Sequence, residues 1–238
     1  DETIYNDLNM RGYVEAKFLK DFTFQANLAV DNTWAMRYRY ISKLHGAGVS
    51  EKGAFGRSYS DYQNINSQQT LNWAHDYGKH HVDAMIGHEF NWMRTSSLNY
   101  KAAYGLIEGF DTFTNYIFYN SGGTFSGIGG GEDQEALEGY FMRANYNYDN
   151  KYYVTASVRA DGSSKFGKNN KWGYFPSGAV SWKLHNEPWM QKLNVFDEFK
   201  IRASWGISGN QGISPYQTLN RYGTEKYWFA DKWQTAIG

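Results

Sequence analysis

The sequence predicts an all-β fold: a segment of an antiparallel, membrane-spanning β-barrel. Three observations predict it. Apolar and polar residues alternate with period two, tight turns alternate with long loops, and aromatic content is too high for the chain's hydropathy. Of 238 residues, 20 are Tyr, 15 Phe and 9 Trp, 18% together, yet mean hydropathy is −0.69. A soluble core of this size draws mainly on Leu, Ile and Val, whereas a barrel puts aromatics at two interfaces and polar side chains inside. Composition alone also admits a soluble β-sheet with an exposed binding surface.

In chain order, Val14, Ala16 and Phe18 oppose Glu15 and Lys17. After Leu19-Lys20-Asp21, room for a tight turn, Phe22, Phe24, Ala26, Leu28 and Val30 oppose Thr23, Gln25, Asn27 and Asp31. Together they predict a hairpin. A strand over Gln68–Tyr77 turns at Gly78-Lys79-His80 into Val82, Ala84, Ile86, His88, Phe90 and Trp92. Next, Tyr140, Met142, Ala144, Tyr146 and Tyr148 oppose Arg143, Asn145, Asn147 and Asp149. A turn at Asp149-Asn150-Lys151 leads to Tyr152, Val154, Ala156, Val158 and Ala160. The fourth pair runs through Gly178, Val180, Trp182 and Leu184, then Phe199, Ile201, Ala203, Trp205 and Ile207. Its connection is longer and contains Pro188. A ninth strand is expected near Tyr227.

Long connections are predicted at Ala35–Asp61, Lys101–Leu137 and Phe166–Gly173. Short turns at one end and long loops at the other match periplasmic turns and extracellular loops. Aromatics near the turns (Phe18, Phe22, Tyr77, Tyr146, Tyr148, Tyr152, Tyr153, Trp189, Phe196, Phe199) fit an interfacial belt. They fit cross-strand aromatic pairing equally. A β-sandwich shares the alternation, but its strands and loops are usually shorter.

Charge is balanced, with Lys+Arg 24 and Asp+Glu 24, so no net field points to nucleic acid. With no Cys, disulfides, thiolate metal sites and a thiol nucleophile are excluded. No apolar run reaches the roughly 20 residues of a transmembrane helix. Both ends, DETIYNDLNM and WQTAIG, read as cuts inside a larger protein, and no signal peptide opens the chain. His81 and Glu89 share a face, but eight positions of strand put them about 26 Å apart, too far for one ion. Gly127–Gly131 lacks the Lys-Ser/Thr of a phosphate loop and is expected to be a mobile loop, with the Glu132/Asp133 pair in it. There is no G-x-S-x-G elbow. No catalytic residue, metal or cofactor is expected, and the chain is not expected to be an enzyme.

Three blocks stand out: RADGSSKFG (Arg159–Gly167), GYFPSGAVSWKL (Gly173–Leu184) and RASWGISGNQ (Arg202–Gln211). Asp161-Gly162-Ser163-Ser164 holds turn formers that bond their own backbone. The run from Lys165 to Lys171 reads as a wet basic loop. Pro176 falls near a strand start, where a missing N–H is tolerated. Arg159 with Asp161, and Arg143 with Asp149, share a face, which suggests ion pairs on the inner wall.

In this order and spacing the blocks resemble the SusC/RagA family of TonB-linked outer-membrane transporters, with mild departures at Ile201 and Trp205. The resemblance covers Gly139–Gln211 specifically, and residues 1–138 continue the rhythm. It implies a barrel of about 22 strands closed round a plug, of which residues 1–238 supply roughly eight or nine as an open curved sheet. The plug, signal and remaining strands are expected outside it. It implies import of oligosaccharide or peptide, with outer-membrane lipid, a SusD-like lipoprotein lid and the TonB complex as partners. The motif residues, structural or luminal, are Arg159, Asp161, Gly162, Ser163, Ser164, Phe166, Gly167, Gly173, Phe175, Pro176, Ser177, Trp182, Arg202, Gly206, Gly209, Asn210 and Gln211. Loop aromatics Tyr104, Phe110, Phe113, Tyr116, Phe118, Tyr119 and Phe125 are candidates for stacking on substrate, and equally for packing against the lid. The alternative reading is a small closed barrel or a β-sandwich carbohydrate-binding module without transport.

Overall fold

Eight strands follow one another in a single antiparallel sheet, each hydrogen-bonded to the next in sequence. The computed structural model describes residues 1–50, 52–103, 127–193, 195–218, 224–229 and 232–237. The strands are β1 (Glu2–Phe18), β2 (Phe22–Ile41), β3 (Ala54–Tyr77), β4 (His80–Ala103), β5 (Ile128–Tyr148), β6 (Tyr152–Ser163), β7 (Trp172–Lys183) and β8 (Lys200–Gly206). β9 (Thr224–Phe229) and β10 (Lys232–Ile237) make a separate two-stranded sheet. Between β7 and β8 lie a 3-10 turn, Leu184–Asn186, and a short helix α1, Pro188–Leu193.

β1 and β8 are the two edges of the sheet, so it is not closed on itself. That disposes of the small closed barrel. One eight-stranded layer also disposes of a sandwich, whose two sheets must bury their apolar faces together. Here Ile86, Met142 and Val180 stay more than half exposed. Among the described residues the buried apolar side chains are only Ala54, Ala102, Ala103, Leu184 and Met190. No described helix is long and apolar enough to cross a membrane, and a barrel crosses with strands instead.

Register settles what each face carries. Phe24, Leu71, Ile86, Met142, Val158 and Pro176 form one rung across β2 to β7. The alternate rung through Thr23, Asn72, Met85, Arg143, Ser157 and Ser177 lies on the other side. The first is the outward, apolar face and the second the polar inner wall, the period-two signature of a membrane barrel.

The turns follow local chemistry. Gly78 at φ 63 opens the two-residue β3–β4 turn, a position that suits Gly. Asp149 and Asn150 take φ 52 and 55 in the β5–β6 turn, where Asx side chains tolerate the left-handed region. Leu19 and Lys20 do the same at φ 49 and 65 with no such excuse.

Several strands are longer than the alternation predicts. β3 begins at Ala54, not Gln68, and β2 runs to Ile41. The glycine cluster is strand: Ile128–Gly131 opens β5 and pairs with Ser97–Tyr100 of β4, carrying Glu132 and Asp133 into the sheet as well. A Cβ on Gly130 would lie 2.3 Å from the Ser97 carbonyl oxygen, so close backbone approach explains the glycine. The fourth pair shifts: β7 starts at Trp172 and β8 at Lys200.

At the turn end the outward aromatics form a belt. Phe18 stacks on Phe22 at 5.6 Å, Tyr148 on Tyr152 at 6.4 Å, and Tyr152 on Trp182 at 6.0 Å. Trp73, His75 and Tyr77 continue it along β3. Both readings of the turn aromatics, interfacial belt and cross-strand pairing, describe this arrangement. Tyr153 is the exception: it points to the inner wall, under Lys183 and Lys200.

Candidate functional site

The inner wall is stitched together by polar side chains. Arg11 of β1 reaches Asp31 of β2 at 3.2 Å; Asn64 of β3 donates to Asp31 at 3.5 Å; Asn91 of β4 donates to Asn64 at 2.8 Å. Lower down, Asn145 donates to Asp83 at 2.7 Å and accepts from Thr155. Such a wall suits water-facing strands, where each polar group is satisfied by a neighbour or by solvent.

The motif blocks converge at the loop end of this wall. Asp161 of β6, Gly139 of β5 and Glu89 of β4 occupy one rung. Arg159 bonds Asp161 through Nε at 2.6 and 2.9 Å, then sends Nη2 across Gly139 to Glu89 at 3.1 Å. Its guanidinium also lies 5.4 Å from the Phe141 ring centre. This crossing is possible because position 139 is Gly: a Cβ there would sit 2.7 Å from both Arg159 Nη2 and Asp161 Oδ1. Two glycines of the motif set work alike. A Cβ on Gly173 or Gly209 would strike the Phe175 ring, at 2.7 and 2.4 Å. Gly162 lies under the Trp172 ring.

Loop 164–171 is held down. Ser164 exchanges bonds with Ala136, backbone N to O at 2.9 Å and Oγ from the Ala136 N–H at 2.8 Å. Lys165, expected in a wet basic run, instead pairs with Glu135 at 2.5 Å with both side chains largely covered. The result is a concavity of about 370 Å³ on the inner wall, walled by Glu89, Asn91, Arg159, Phe166, Phe175 and Gln211. Asp161, Ser163, Gly173, Gly209 and Asn210 complete it from the motif set.

Other motif residues lie elsewhere. Pro176 is on the outward face, level with Val158, and Trp182 joins the turn-end belt. Ser177 bonds Ser157 at 2.6 Å lower on the inner wall, beside Gly206. Arg202 pairs across from Ser181 near the turns, and Gly167 faces open space. Asp149 pairs with Lys151 at 3.0 Å and Lys79 at 3.4 Å, rather than with Arg143. The loop aromatics Tyr104 to Phe125 lie outside the described residues. Sequence reasoning missed Glu89 and Gly139 as site members; only the register of β4, β5 and β6 brings them beside Arg159. His81 bonds Asp76 at 2.6 Å, and no group of three candidate metal ligands occurs among the described residues.

At the turn end a second polar knot closes the β7–β8 connection. Buried Glu187 accepts from Tyr152 at 2.6 Å and Trp182 Nε1 at 3.1 Å, with Lys151 3.7 Å away. The Tyr152 bond, then that of Trp182, holds its carboxyl below the usual value of 4.5.

An apolar outward band, an aromatic belt beside short turns and a polar inner wall define a section of a membrane β-barrel. The family model described as "TonB dependent receptor-like, beta-barrel" matches residues 2–235, and the chain belongs to that family. TonB-dependent receptor P3 of Formosa agariphila is 30% identical over 88% of this chain and 21% of its own length. TonB-dependent receptor SusC of Bacteroides thetaiotaomicron is 45% identical over 34% of this chain and 8% of its own, in keeping with the SusC/RagA resemblance of the motif blocks. The RagAB peptide importer in its closed-closed state superposes with a TM-score of 0.80 over 99% of this chain and 26% of its own, at 21% identity. The chain thus spans about a fifth of P3 and a quarter of that importer chain. Members of this barrel family are outer-membrane proteins, and the relatives are receptors or importers rather than enzymes.

Proposed function

We propose that this chain is part of the barrel wall of a TonB-dependent, SusC-like importer in the bacterial outer membrane, its inner face lining the route of an oligosaccharide or peptide. The observation that carries this is the inner-wall concavity built from the three motif blocks. Aromatic rings (Phe166, Phe175) stand beside amides (Asn91, Asn170, Gln211) and a carboxylate-pinned arginine. That mixture suits a neutral, hydroxyl- or amide-rich solute such as a glycan or a peptide backbone. Residues 1–238 then form one continuous stretch of a single barrel domain. A plug and a TonB-coupling segment belong to the rest of the transporter, and a SusD-like lipoprotein covers its extracellular mouth, as the resemblance implies. The test is uptake by cells carrying the intact transporter. Phe166→Ala with Gln211→Ala should cut uptake of the cognate glycan or peptide at least fivefold at unchanged surface abundance. Unchanged uptake would remove the concavity from the route.

A further inference from the structure

Resting on that membrane reading, we infer that the outward face carries a site for one outer-leaflet glycolipid, with an acyl chain in a slot and its sugar head on a polar cluster above it. On one rung of the outward face stand Gln69, His88, Tyr140, Ala160 and Tyr174. Ala160 is the small residue between two exposed tyrosines, Tyr140 and Tyr174. One rung toward the turns, Phe24, Leu71, Ile86, Met142 and Val158 form an apolar floor. The slot over Ala160 is one end of an open concavity of about 540 Å³ that reaches back to Phe24 on β2.

Slot width decides the occupant. β5 and β7 are two strands apart, roughly 9.6 Å between backbones, and ring thickness on each side leaves about 6 Å. An α-helix is about 10 Å across and does not enter; a single hydrocarbon chain does. Since lipid tails are as apolar as Leu, burial in the slot by itself gives no preference over bulk lipid. Preference must come from the polar rim. Glu138 accepts the Tyr140 hydroxyl at 2.7 Å and lies 3.5 Å from His88 Nε2, while His88 Nδ1 bonds Gln69 Oε1 at 2.9 Å.

Polar side chains on a lipid-facing wall are tolerated near an interface and costly at mid-depth. His88, Tyr140 and Tyr174 lie eight residues from the turn-side ends of the pairs His80–Tyr148 and Tyr152–Trp182. That is about 27 Å of strand, or roughly 20 Å of height at a 35–45° tilt. The cluster therefore lies about 5 Å below the loop-side edge of a band about 25 Å tall, within reach of the head groups. A carboxylate there repels phosphate and accepts from hydroxyl and amide donors, and the Tyr140 and Trp172 rings, 6.0 Å apart, offer faces to a sugar. An acylated amino sugar supplies both parts.

The experiment uses the intact transporter, purified in mild detergent and washed. It is then incubated with an acylated glucosamine disaccharide or with phosphatidylethanolamine and weighed by native mass spectrometry. The wild type should hold one glycolipid. Ala160→Trp, which fills the slot, should lower its occupancy at least tenfold while cellular substrate uptake stays intact. Glu138→Gln, near-isosteric, should weaken glycolipid retention without lowering that of phosphatidylethanolamine. Ala203→Trp, outward but outside the slot, should retain the wild-type amount. Equal retention by Ala160→Trp, or no preference for glycolipid over phosphatidylethanolamine, overturns the site. Loss of uptake from Phe166→Ala with Gln211→Ala speaks to the import reading separately.

Discussion

Placing a methyl group at Gly139 tests whether the crossing of Arg159 is what organises the motif. The Cβ that Gly139→Ala adds would sit 2.7 Å from Arg159 Nη2 and Asp161 Oδ1, and 3.3 Å from Arg159 Cζ. Backbone need not move, because the guanidinium is the far end of a flexible chain; it lifts instead and releases Glu89. The Arg159 and Glu89 side chains are 42% and 29% exposed, so solvent screens the lost contact to about 1 kcal/mol. Against this, Ala in place of Gly inside a strand stabilises by about 0.5–1 kcal/mol. The net change in stability is close to zero, so a single variant is uninformative. The informative measurement is a double-mutant cycle of Gly139→Ala with Glu89→Gln, read by urea unfolding of the intact barrel in detergent. In the wild-type background Glu89→Gln should cost about 1 kcal/mol. In the Gly139→Ala background it should cost nothing, and uptake should already be reduced. Additive costs would show that Glu89 and Arg159 are not coupled through position 139, and the argument for a glycine-dependent bridge would fail.

Other outcomes follow from the turns and the two faces. Leu19→Asn should stabilise the β1–β2 hairpin by about 0.5–1 kcal/mol, since a left-handed backbone penalises Leu and suits Asn; an unchanged denaturation midpoint would contradict it. Met142→Lys, outward, should destabilise by about 2–4 kcal/mol. Ser157→Lys on the inner wall should change stability by under about 1 kcal/mol, and equal costs would reverse the assignment of faces. Glu187 is held below its ordinary 4.5, first by Tyr152. Its contribution is therefore full above that value and lost as pH falls through the lowered one. Glu187→Gln should flatten stability against pH in the acid range below 4.5, and an identical slope would refute the role.

Much of this was legible in the sequence because lipid imposes a strict code. Phe24, Leu28, Met142, Val154 and Val180 had to be apolar, and their alternation fixed strand, face and hairpin order. Legibility ended where lipid ends. From Arg57 to Gln63 the outward positions are Arg57, Tyr59, Asp61 and Gln63, facing Arg94 and Ser96 on β4. With both sides polar, period two has no amplitude, so the alternation leaves 54–61 in a predicted loop and the outer half of β4 unassigned. Gly129–Gly131 failed for a related reason. Glycine signals turn chemistry locally, while its cause here, contact with the β4 backbone, is a property of pairing.

The inner-wall site shows a further step in that logic. Arg159 and Asp161 announce themselves two residues apart, but Glu89 lies 70 positions from Arg159, and it joins them only once register sets it across Gly139. Face periodicity tells which residues look inward, and only the hydrogen-bond ladder tells which of them look at one another. A barrel wall concentrates its specificity in the second kind of information. The outward face can tolerate many apolar sequences, because lipid accepts any of them. The inner face has to close each polar group against a neighbour or leave it to water and substrate. The motif blocks gather where both demands meet: glycines thin the wall, Arg159 bridges three strands, and Phe175 covers the gap beside Gly173 and Gly209. Substitutions there should therefore change transport before they change folding, and substitutions such as Met142→Lys should do the reverse.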